Sequence, residues 1–244
     1  MSEPLRIGIV AAMKREVAPL LEGWHKGSNS QLYTREFSQL RAALVIAGAG
    51  AANAEAACHG LICQFSPLLV LSVGFAGALI PELEVGDIIV PAQVAAAGEV
   101  ERQNYPTEFG VGTLVTVNRV AGREDKQELA RRHNAYAVEM EAAAVAQVAQ
   151  RRGVKFAAIK VISDGLDDEA VGVTGPFVRA EGFDTMGFLF HTAVRPKLWP
   201  IVAKLKRSSE RASLTLCCAI QEFLAAPEEF AAHHSSRKVQ SGGS

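Results

Sequence analysis

The strongest constraint in this chain is an alternation of short, β-branched apolar runs with Ala-rich segments of helical length. Leu5–Ala11 (LRIGIVA) is the first such run and reads as a buried strand. Comparable runs follow at Leu40–Ala47, Pro67–Val73, Asp87–Ala95, Thr113–Val117, Ala135–Val138 and Val154–Ser163. Between them, Ala51–Gln64 and Glu139–Arg152 read as helices. The second is the better marked. Glu139 and Glu141 suit the positive end of its dipole, Arg151 and Arg152 suit the other end, and Gly153 can close it. Val17, Leu20, Leu21 and Trp24 also fall at helical spacing, and Pro19 places the first turn of that helix near Glu16. Strands alternating with helices predict an α/β fold of three αβα layers: a mostly parallel (mixed) twisted sheet with helices on both faces.

The alternation lapses after Asp167. Residues 167–200 read as a lid-like excursion, Leu198–Leu224 as a long C-terminal helix, and 227–244 as a polar, disordered tail. With 244 residues and no internal repeat, a single domain over 1–226 is expected. Hydrophobic residues at 49% and charged residues at 21% describe a globular chain. A formal net charge of −1 gives no global field to attract nucleic acid. The four cysteines lack metal-ligand spacing, and adjacent Cys217 and Cys218 make a poor disulfide framework, so a reducing compartment is expected. The N-terminus reaches a strand without a signal-peptide layout, and no apolar stretch is long enough for a bilayer. A soluble, cytoplasmic protein is the expectation.

In open α/β sheets, ligands bind beyond the carboxyl ends of the strands. Four carboxylates follow strands in that way: Glu16, Glu139, Glu141 and Asp164, the last preceded by Ser163. A Gly-rich turn (Val73-Gly74-Phe75-Ala76-Gly77) is expected on the same rim, where missing side chains let a ligand approach the backbone. Separated carboxylates suit glycosidic cleavage. One acid protonates the leaving group, one base activates water, and a carboxylate can stabilise an oxocarbenium-like sugar or grip its hydroxyls. Ordinary duties compete with this reading: Glu16, Glu139 and Glu141 could simply serve helix dipoles, and Asp164 a turn. Gly48-Ala49-Gly50-Ala51-Ala52-Asn53 imitates a dinucleotide fingerprint, but Asn53 replaces its third glycine and no ribose-binding acid follows. A tight turn lining the pocket accounts for those glycines.

At these same residues the chain resembles the nucleoside phosphorylase/nucleosidase superfamily, and within it the 5'-methylthioadenosine/S-adenosylhomocysteine nucleosidases. The matching segments are IGIVAAMKREVAPL from Ile7, SVGFAGAL from Ser72, VGDIIV from Val85, AVEMEAAAVAQVA from Ala137 and KVISDGLDD from Lys160. The resemblance implies a phosphorylase/hydrolase-like fold and specific roles. Glu16 would handle the nucleophilic water, Asp164 would donate to the purine N7 side, and Glu141 would bind the ribose hydroxyls beside Met140. Glu139, Gly74, Phe75, Ser163 and Lys160 would belong to the substrate-binding surround. It further implies no metal or organic cofactor, a small-molecule nucleoside substrate, and a homo-oligomer with sites near subunit contacts.

The departures from the family are instructive. Phe75 stands where a small hydroxyl residue is usual. Lys160 replaces arginine, keeping the charge and losing the bidentate fork. The segment between Glu99 and Gly112 is shorter than usual. The C-terminal region resembles the hopanoid-associated phosphorylases, which act on adenosylhopane. The hexameric phosphorylases hold phosphate with a Gly-rich first turn and an arginine before the second. Here Val10-Ala11-Ala12-Met13 has neither glycine nor arginine, and Ser72 takes the arginine's place, so hydrolysis is favoured. The basic run Arg195, Lys197, Lys204, Lys206, Arg207 and Arg211 fits a solvated helix face better than a membrane surface. The expected function is therefore adenine-nucleoside hydrolysis. A phosphorolytic enzyme acting on adenosylhopane and a nucleoside-binding or storage protein are the alternatives.

Overall fold

The computed structural model describes residues 4–27, 31–97, 103–166, 178–179, 182–183 and 199–236. Its centre is a mixed sheet in which β1 (Leu5–Ala11) lies parallel between β4 (Leu40–Ile46) and β5 (Leu69–Ala78). β2 (His25–Lys26) and β3 (Leu32–Glu36) extend the β4 edge as antiparallel strands. Beyond β5 come β10 (Ala137–Glu139), β9 (Thr113–Thr116), β7 (Gln93–Ala96) and β8 (Gln103–Pro106), while β11 (Lys155–Asp164) pairs with β5 and with β6 (Ile88–Ile89). The expected single strand Asp87–Ala95 is thus two strands, β6 and β7. Pro91 between them has no amide hydrogen for a ladder, and each half finds a different neighbour.

The pleat sorts side chains to two faces. Ile7, Ile9 and Ala11 of β1 share one apolar cluster with Leu71, Val73, Ile159 and the C-terminal helix α5 (Trp199–Ala225). Val10, Val45, Val70 and Ala158 point the other way, toward α2 (Ala51–Phe65) and α4 (Ala142–Arg151). Alanines on α4 let it lie close to the sheet. The expected three-layer α/β fold is therefore observed.

Several boundaries differ from expectation. α4 begins at Ala142, not Glu139: Glu139 ends β10, and Glu141 occupies the N-cap. The region after Val10 forms a short α1 (Lys14–Val17) and then a 3-10 turn (Ala18–Leu21) that accommodates Pro19. α3 (Arg123–His133) has no apolar stripe to read, since Lys126 is its one buried residue. The expected disordered tail from Pro227 is corrected over Pro227–Ser236, which forms helix α6. Phe230 is buried there against Phe109 and Phe223. Pro227 begins the helix, with Glu228 and Glu229 in its first turn and His233 and His234 in its last. The excursion at 167–200 falls outside the described residues, apart from the antiparallel pair β12 (Val178–Arg179) and β13 (Gly182–Phe183) and the first residues of α5.

Candidate active site

The site is built on a change of partner along β5. One edge of this strand pairs with β11 from Leu69 to Gly77. On the other edge β1 stops with Ala11 opposite Val73, and antiparallel β10 takes over at Gly77. Residues 74–76 therefore face the opening between β1 and β10. The expected Gly-rich turn is corrected here: Val73–Gly77 stays within β5, and its glycines serve close approach to side chains.

Glu16 enters that opening from α1 and is only 2% exposed. Its carboxylate accepts the Met13 N–H at 2.9 Å and the Phe75 N–H at 3.4 Å. Gly74, at φ +150°, makes room, because a Cβ there would stand 3.2 Å from Oε1 of Glu16. Behind Glu16, Ser213 and Cys217 of α5 donate to its backbone carbonyl at 3.2 Å and 3.6 Å. Burial pushes the Glu16 pKa up, against the Met13 and Phe75 amides and the charges of Lys160 and Arg15. A carboxylate shifted in that direction holds a proton more readily, as a water-activating base must.

Glu139 and Glu141 leave the end of β10 in different roles. Glu139 is buried and accepts N–H groups of Glu141 and Ala142 at 2.9–3.0 Å, together with the Thr116 hydroxyl. Lys160 completes its shell at 2.9 Å. Glu139 thus anchors the start of α4 and aims the residues around it. Glu141 accepts the Gly50 N–H at 2.7 Å. Its pKa is pushed up to about 7 by burial and by the neighbouring charge of Glu139, with Lys160 and the Gly50 amide opposing. Burial draws the Lys160 ammonium down, but Glu139, Glu141 and Glu16 outweigh it and leave its pKa raised.

Asp164 stands across the opening at the end of β11. The ladder with β5 shifts register between Ile162 and Asp164, which turns the last side chains. Ser163 donates to Oδ1 of Asp164 at 2.8 Å, and Lys126 of α3 reaches Oδ2 at 2.6 Å.

A cavity of about 960 Å³ joins these groups. Glu16, Phe75, Glu139, Met140, Glu141, Ser163 and Asp164 all line it, as expected from sequence. Gly74 and Lys160 do not: Gly74 lies beneath the Glu16 carboxylate, and Lys160 stands behind Glu139. Lys126 lines the cavity and had no sequence signal, being one charge among many on a polar helix. The Gly48–Gly50 turn contributes through its amide to Glu141, not as a dinucleotide site. Among the described residues, no cluster of His, Cys, Asp and Glu could hold a metal ion, and no helix is long and apolar enough to cross a membrane.

A model of the Phosphorylase superfamily matches residues 6–110 and 94–178 of the chain. The chain is similar to the 5'-methylthioadenosine/S-adenosylhomocysteine nucleosidase of Baumannia cicadellinicola subsp. Homalodisca coagulata, with 30% identity over 199 residues, 66% of this chain and 86% of the relative. The corresponding protein of Listeria welshimeri is 28% identical over 209 residues, 68% of this chain and 89% of the relative. Among solved structures, the nucleosidase of Neisseria meningitidis in complex with methylthio-immucillin-A superposes with a TM-score of 0.68 at 19% identity, covering 90% of this chain and 98% of that one. The futalosine hydrolase of Helicobacter pylori gives 0.64 at 21% identity, over 89% and 98%. At these identities the two structures bear on the fold alone.

Proposed function

Because the chain belongs to the phosphorylase superfamily and is an enzyme of nucleosidase or nucleoside phosphorylase type, we propose that it hydrolyses the N-glycosidic bond of adenine nucleosides of the methylthioadenosine/adenosylhomocysteine kind. The observation that carries this is the convergence of Glu16, Glu141 and Asp164, from three separate strand ends, on one nucleoside-sized hollow. Asp164 delivers a proton to the purine ring, so the C1′–N9 electron pair leaves on a neutral base. Glu141 holds the ribose hydroxyls with its free carboxylate oxygen, beside Met140. Glu16 takes the proton of the water that bonds to C1′.

Water is favoured over phosphate because Arg119 and Lys126, two of the four cations lining the cavity, are held by carboxylates, which leaves Arg15 and the exposed Lys206. Arg119 forks onto Asp125 at 2.6–2.8 Å, Lys126 onto Asp164, and Lys206 lies 3.8 Å from Glu210. Ser72, where the hexameric phosphorylases carry arginine, is buried in β5. A dianion would find few free partners. The same reading carries a cytoplasmic homo-oligomer that works without metal or organic cofactor.

The test is to incubate the chain with methylthioadenosine, adenosylhomocysteine, adenosine and inosine, with and without phosphate, and to separate the products. From the adenine nucleosides, adenine and free sugar are expected at the same rate in both buffers. Strict phosphate dependence, with a sugar phosphate formed, would replace hydrolysis by phosphorolysis, adenosylhopane then being a substrate to try.

A further inference from the structure

Lys126 is the one buried residue of α3, a helix of mostly polar side chains, and it is 2% exposed. Its ammonium donates to Oδ2 of Asp164 at 2.6 Å and to the carbonyl of Gly165 at 2.6 Å. Taking an ammonium out of water is costly unless close, well-formed partners offset it. The strand below is shaped for this pair: a Cβ on Gly77 would fall 2.8 Å from Asp164 Oδ2 and 3.2 Å from Lys126 Nζ. Three elements, α3, β5 and β11, thus bring one cation against the carboxylate assigned to the leaving group.

Both oxygens of Asp164 already accept hydrogen bonds, from Ser163 and from Lys126. A carboxylate with that shell needs a source for the proton it gives away. We propose that Lys126 is the proton-holding, positioning partner of Asp164, an inference that rests on the hydrolytic reading above. The ammonium passes a proton to Asp164 as Asp164 gives one to the purine ring. The C1′–N9 pair moves into the base, and water forms the new bond to C1′ while its proton goes to Glu16. Solvent then returns the proton from Glu16 to Lys126, so nucleoside and water yield free purine and free sugar.

The experiment compares adenine release from methylthioadenosine by the full chain and by K126M, K126R, D164N and K126M/D164N, with thermal melts of each. K126M is expected to lose about 100-fold in kcat with KM changed by less than about threefold, and K126R, which keeps the charge but cannot give up a proton, to recover little of that loss. Because Lys126 acts through Asp164, the double variant is expected to be no slower than D164N alone. If K126M does not fold, K126R takes its place, since it keeps the ion pair while withholding a transferable proton, and it is expected to lower kcat with KM nearly unchanged. Full activity in K126M, or losses that multiply in the double variant, would overturn the assignment. A wild-type chain that releases no purine from any nucleoside would instead defeat the hydrolytic reading itself.

Discussion

Glu16, Glu141 and Asp164 are alike in chemistry and are divided by what surrounds them. Asp164, held by a hydroxyl and an ammonium, is the proposed acid at the leaving group, and D164N is expected to lower kcat by about 100- to 10,000-fold while the chain stays folded. Single-turnover adenine release checks this. Burial and the neighbouring charge of Glu139 push the Glu141 pKa up to about 7. Its ionised form is the one that accepts from two ribose hydroxyls, so KM is expected to fall as pH rises from about 6 to about 8. E141Q should raise KM and flatten that dependence. The same shift bears on stability. Glu141's folded pKa lies above its unfolded value of 4.5, so between 4.5 and about 7 the folded chain binds more protons than the unfolded one. Its contribution is present in full below that window and is lost as pH rises through it. Urea midpoints at pH 5 and pH 8 should therefore differ less in E141Q than in the wild-type chain.

Elements set the positions of these side chains, and here sequence and structure part company most usefully. Val73–Gly77 has the composition of a turn, yet it continues β5 because β11 pairs with it throughout. What its glycines provide is clearance for Glu16 and for the Asp164–Lys126 pair. G74A is accordingly expected to destabilise the fold by about 1–3 kcal/mol, from the strained backbone and the displaced Glu16 carboxylate, and to reduce kcat with it. Denaturant titration and steady-state rates would measure both effects. The carboxylates were legible because each sits in a motif at a strand end. Lys126 was not, because burial of one lysine on a polar helix is decided by distant partners, Asp164 and Gly77. The polar composition of α6 suggests a disordered tail, although Pro227, Glu228, His233 and His234 are in helical order. Its anchor is Phe230, and F230A is expected to lower stability by about 3–5 kcal/mol without touching the cavity. Thermal melts and kcat together would separate the two.

Across the whole molecule, the alternation of strands and helices yields the layered sheet directly, and the sheet in turn makes the cavity where β1 gives way to β10 beside β5. Helices on one face fix Glu141 through the start of α4, and α5 on the other face grips Glu16 through its carbonyl. On the proposed function, catalysis follows from three acidic groups meeting around a single nucleoside. The most direct measurement is a crystal structure of D164N soaked briefly with methylthioadenosine, whose turnover that substitution slows. The ribose hydroxyls should lie within hydrogen-bond distance of Glu141, the purine ring against residue 164, and Glu16 on the C1′ side. A nucleoside seated elsewhere, or lying with its ribose away from Glu141, would contradict the assignment of all three residues.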